Sequence, residues 1–73
     1  MDDMRIVLVG CLEVLTLVKQ RVEESTKELE SSSAKSVLAG AADKIGVAMK
    51  NIDFALKWEG EYLMEKTHQT NNN

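Results

Sequence analysis

Residues Met4, Leu8, Cys11, Leu15, Val18, Val22, Ser25 and Leu29 follow one another in alternating steps of four and three, and only Ser25 is polar. Steps averaging 3.5 residues keep side chains on one stripe of an α-helix. The second half repeats the pattern through Leu38, Ala42, Ile45, Met49, Ile52, Leu56, Glu59 and Leu63, with Glu59 its polar member. The spacing therefore predicts two long amphipathic helices, at about 3–30 and about 33–67. Each would be roughly 40–50 Å long at 1.5 Å per residue. No proline interrupts either of them.

Between the stripes lies Glu30-Ser31-Ser32-Ser33-Ala34. Serine hydroxyls accept from the free amides of a helix start, so this cluster marks the N-cap of the second helix. Asp2 or Asp3 can cap the first helix, and Lys66 and His68 suit the negative end of the second. A turn of three or four residues makes the helices antiparallel neighbours. In such a hairpin, facing residues have numbers totalling about 64. The two stripes then pair as Leu8 with Leu56, Cys11 with Ile52, Leu15 with Met49, Val18 with Ile45, Val22 with Ala42, and Ser25 with Leu38. The predicted fold class is all-α: an antiparallel two-helix hairpin forming one domain over 1–67. The polar stretch 68–73 has no apolar anchor and is expected to be disordered.

One competing reading concerns Arg5-Ile6-Val7-Leu8-Val9-Gly10, which resembles the strand that opens a nucleotide-binding βα unit. Cys11-Leu12-Glu13-Val14-Leu15 follows, without the second glycine or the Gly-Lys-Ser/Thr such a loop needs. No later segment supplies a partner strand, and a lone strand leaves its backbone unsatisfied. Helix is the reading carried forward.

A chain of 73 residues buries only roughly 60% of its unfolded surface, and one seam between two helices is little burial for it. Hydrophobic residues make up 44% of the chain, more than that seam can hide. On the first helix Ile6, Val7, Val9, Val14 and Leu17 lie outside the stripe. On the second, Ala34, Ala41, Ala48 and Ala55 recur every seven residues, and Phe54, Trp58 and Tyr62 stand at i, i+4 and i+8. A helix apolar nearly all round needs cover that a two-helix hairpin does not give. The expected interface residues are Ile6, Val7, Val14, Leu17, Ala41, Ala48, Phe54, Trp58 and Tyr62. The favoured partner is a second copy, giving a homodimeric four-helix bundle, since isologous dimers are the commonest oligomers. A helical segment of another protein is the alternative.

Candidate chemistry is sparse. The single cysteine, Cys11, forms no intrachain disulfide and no multi-thiolate site, which suits a reducing, cytoplasmic setting. His68 has no second histidine or nearby cysteine with which to hold a metal. No cofactor, small-molecule substrate or catalytic group is predicted. The run Ile6–Val18 is too short and polar to span a bilayer, and Asp2 and Asp3 precede it where a secretory signal would be basic. A net charge of −3 with Lys19, Lys27, Lys44, Lys50 and Lys57 offset by acids argues against nucleic acid. Glu23, Glu24, Glu28 and Glu30 make an acidic tip, read as a solvated face.

Trp58-Glu59-Gly60 resembles the turn motif of the small helical-hairpin proteins secreted through type VII systems. In that family the motif lies between the helices, whereas here it falls near the end of the second, so it assigns no family. The expected function is a non-enzymatic interaction module, a self-associating hairpin acting as adaptor or regulator. The alternatives are a small hetero-complex subunit, such as a secretion co-chaperone or a phage-type inhibitor of a host protein, and a dimeric hairpin regulator that binds RNA or DNA.

Overall fold

The structure, a computed structural model, describes the backbone of residues 2–71 and the side chains of residues 3–67. It contains two helices, α1 (Asp2–Glu28) and α2 (Ser32–Asn71), packed against each other as a hairpin, with no strand among the described residues. Residues 5–10, the competing strand, lie within α1.

The turn is short because both helix ends are satisfied locally. The Leu29 amide donates to the Thr26 carbonyl at 3.3 Å, tightening the last turn of α1. Ser31 then caps α2: its hydroxyl accepts from the Ala34 amide at 3.2 Å, and its carbonyl accepts from the Lys35 amide at 3.0 Å. The serine cluster was therefore an accurate signal. α2 runs to Asn71, past the end expected at 67. No proline or glycine follows Gly60 to stop it, and the Thr67 hydroxyl returns to the Leu63 carbonyl at 2.9 Å. The side chains of 68–71 and residues 72–73, where the disordered tail was expected, lie outside the described residues.

The seam corrects half of the first stripe. Along α1 and the residue that follows it, the half-buried positions are Leu8, Gly10, Leu12, Leu15, Lys19, Val22, Thr26 and Leu29. Leu8, Leu15, Val22 and Leu29 belong to the expected stripe. Cys11, Val18 and Ser25 do not; they are exposed, as is Met4. Leu12 offers the seam more apolar surface than Cys11 does, and Leu12, Lys19 and Thr26, each one residue on, take the places expected for Cys11, Val18 and Ser25. Two polar residues can then sit in the seam. The Thr26 hydroxyl is satisfied by the Val22 carbonyl at 2.7 Å. Lys19 lays its stem over α2 while its ammonium reaches Glu23 at 2.9 Å.

On α2 the expected stripe holds through Leu38, Ala42, Ile45, Met49, Ile52, Leu56 and Leu63, while Glu59 is exposed and Gly60 is half-buried beside it. Two glycines receive the long basic side chains of α1. A Cβ on Gly46 would stand 3.3 Å from Lys19 Cε, and one on Gly60 would stand 3.1 Å from Arg5 Nη2. In each pair the residue numbers total 65, close to the register expected from the sequence. Arg5 also donates to the Leu56 carbonyl at 3.4 Å.

Candidate association surface

Ala42, 4% exposed, is the one buried residue among those described. Every other seam residue is half-open to solvent, because two helices cover each other along one line only. The hairpin is 65 × 18 × 10 Å, with a Cα radius of gyration of 18.0 Å. A compact domain of this length has a radius of about 11 Å. Its accessible surface is 6032 Å², where a compact monomer of 8.1 kDa exposes about 4,500 Å². The excess is about 1,500 Å² per chain by the same scaling.

Part of the exposed apolar surface gathers on one face, while Ile6, Val9, Val47, Phe54 and Met64 are exposed elsewhere. Helical spacing of about 100° per residue places Met4, Val7, Cys11, Val14 and Val18 on a single flank of α1, next to the seam. All five are exposed. The same spacing puts Ala34, Val37, Ala41, Ala48, Ala55, Trp58 and Tyr62 on one flank of α2. The two flanks border the same side of the seam. Met4, Arg5 and Ala55 line one groove with Leu8, Leu56, Glu59 and Leu63. Leu17, Val18, Arg21 and Ser25 line a second groove with Val22 and Leu38. The opposite side is mixed: Arg5, Asp53, Lys57 and Glu61 border one groove together with Val9, Leu12, Leu56, Leu63 and Met64, and Glu23, Lys27 and Asp43 border another with Thr26, Ala39 and Ala42.

The nine expected interface residues divide accordingly. Val7, Val14, Ala41, Ala48, Trp58 and Tyr62 share the apolar face, and Leu17 stands on its rim. All of these are exposed except Ala41, which is half-buried. Phe54 projects from the outer edge of α2 and stacks on Trp58, with ring centroids 5.9 Å apart and planes 12° apart. Ile6, 68% exposed, points away from α2 on the back of α1. Sequence reasoning missed Met4, Cys11 and Val18 as members of this face because it had assigned them to the seam. It also passed over Val37, 75% exposed and three heptads before Trp58 on the same flank.

Among the described residues, no three of the His, Cys, Asp and Glu side chains gather as metal ligands do. The side chain of His68 lies outside the described residues. Cys11 is exposed on the apolar face, and the acidic tip is solvated, with Glu23 engaged by Lys19. No helix among the described residues is long and apolar enough to cross a membrane. The chain matches no family model, no curated protein and no solved structure.

Proposed function

We propose that this chain is a non-enzymatic interaction module, a helical hairpin that self-associates through its apolar face and serves as an adaptor or regulator. The observation that carries this reading is the exposed apolar face itself. A contiguous patch of this size on a monomer marks a site of association. Its area also suits the purpose. If each copy covered its excess of about 1,500 Å², the pair would bury about 3,000 Å², within the range of obligate dimers. Binding rather than catalysis is favoured by the lining of the grooves, which holds few polar groups that could converge on a substrate. A lone thiol suits a reducing compartment such as the cytoplasm.

Association that stabilises the fold makes the melting temperature depend on protein concentration. Thermal unfolding followed by circular dichroism, over a hundredfold range of concentration, tests the reading. The midpoint is expected to rise several degrees across that range. A midpoint that does not move, with the helices fully formed, would contradict it.

A further inference from the structure

Resting on the self-association reading above, we propose that Glu59 makes the pairing proton-linked: its carboxylate opposes association at neutral pH, and protonation of that group tightens the pair.

Glu59 is the polar member of the stripe that α2 turns toward α1. It lies in the groove between Met4 and Leu63, where every other lining residue except Arg5 is apolar. In the single hairpin Glu59 is exposed, and it makes no hydrogen bond or ion pair with any described residue. Arg5 is the charged group that α1 brings to the same groove. Its guanidinium is engaged elsewhere, donating to the Leu56 carbonyl and lying against Gly60. Asp3 stands on the outer side of α1. On α2 itself, Tyr62 and Lys66 share the flank of Glu59, about one and two turns on, while Lys57 and Glu61 border the opposite groove.

A second copy laid over this face closes the groove, because the groove runs between the two flanks that form the face. The carboxylate then loses its water and keeps mainly aliphatic neighbours. Burying it charged is expensive, so covering favours the neutral form. The carboxyl therefore holds its proton more tightly in the pair than in the single hairpin, and association takes up protons. Pairing strengthens as pH falls and weakens as pH rises. Two-fold symmetry doubles the effect, since each copy brings its own Glu59. Every acid of a chain with net charge −3 adds to the repulsion between copies, and Glu59 adds the cost of burial to that.

Sedimentation equilibrium over a range of concentrations compares the native chain with Glu59→Gln and Glu65→Gln. Glu65 is exposed and half a turn round α2 from Leu56, away from the face. Each variant removes one negative charge, so both share the relief of repulsion. At neutral pH, Glu59→Gln is expected to tighten pairing by at least about tenfold more than Glu65→Gln does. Between about pH 7.5 and about pH 5.5, above the isoelectric point near 5.0, the native chain should tighten and Glu59→Gln should tighten far less. Equal effects of the two variants, or equal pH responses of the native chain and Glu59→Gln, overturn the role of Glu59 and leave self-association standing. Weaker pairing by Glu59→Gln overturns it too, since the carboxylate then meets a cation in the pair. A native chain and both variants at the monomer mass at every pH overturn self-association as well. Circular dichroism checks that the helices are kept. Should Glu59→Gln lose them, dilution calorimetry of the native chain decides, in buffers of different ionisation enthalpy: net proton uptake on association supports the proposal, and none overturns it.

Discussion

The hydroxyl of Ser31 satisfies an amide that the first turn of α2 would otherwise leave to water. Ser31→Ala is expected to lower stability by about 1 kcal/mol, read from urea denaturation, whereas the same change at Ser33 should have little effect. The glycines give a finer test of the seam. Gly40 has open space where a Cβ would go, so Gly40→Ala should gain about 0.5–1 kcal/mol from helix propensity alone. At Gly60 the added Cβ would meet Arg5 Nη2 at 3.1 Å, and the guanidinium must give up its place near the Leu56 carbonyl to make room. Gly60→Ala should therefore gain less than Gly40→Ala. Equal gains would show that Arg5 does not cross α2 as described.

At the scale of the helices, the amphipathic pattern carried most of the information. The two helices, their antiparallel pairing, a register within one residue of the observed one and the capping serine cluster could be read from the chain. What could not be read was the rotation of α1. Positions 11 and 12, 18 and 19, and 25 and 26 each offer one candidate to a stripe spaced at three and four, and the larger number of apolar residues favoured Cys11 and Val18. The sequence contained a subtler signal, a glycine opposite each long basic residue: Gly46 for Lys19 and Gly60 for Arg5. Flexible stems that lie over a bare backbone can occupy a seam that an apolar count assigns to valine. The same rotation turned Met4, Cys11 and Val18 into members of the exposed face, and so separated neighbours in sequence by their orientation. Val7 lies on that face and Ile6 lies opposite α2. Val7→Ser is accordingly expected to weaken association by roughly tenfold, the size of losing one buried aliphatic side chain, while Ile6→Ser leaves it unchanged. Sedimentation of the two variants side by side makes the comparison. Equal effects would mean that the face has been drawn around the wrong side of α1.

For the whole molecule, the decisive quantity is the mismatch between surface and mass. Among the described residues the hairpin buries one side chain, Ala42, and leaves an apolar face exposed, which is why we propose that it forms half of a larger folded unit. Each copy carries a net charge of −3, so two copies repel at long range, and salt screens that repulsion without weakening apolar contact. Association should therefore strengthen as sodium chloride is raised; an interface held by ion pairs would weaken. A charge placed on the face has the opposite effect. Val14→Glu is expected to weaken association by at least about tenfold, because a carboxylate would be buried without a partner. Whether the hairpin pairs is read from the mass of the native chain in solution, measured by sedimentation equilibrium at tens of micromolar. The expected result is twice the 8.1 kDa chain mass, with the helices formed. A fully helical species at 8.1 kDa, unchanged on concentration, would contradict it.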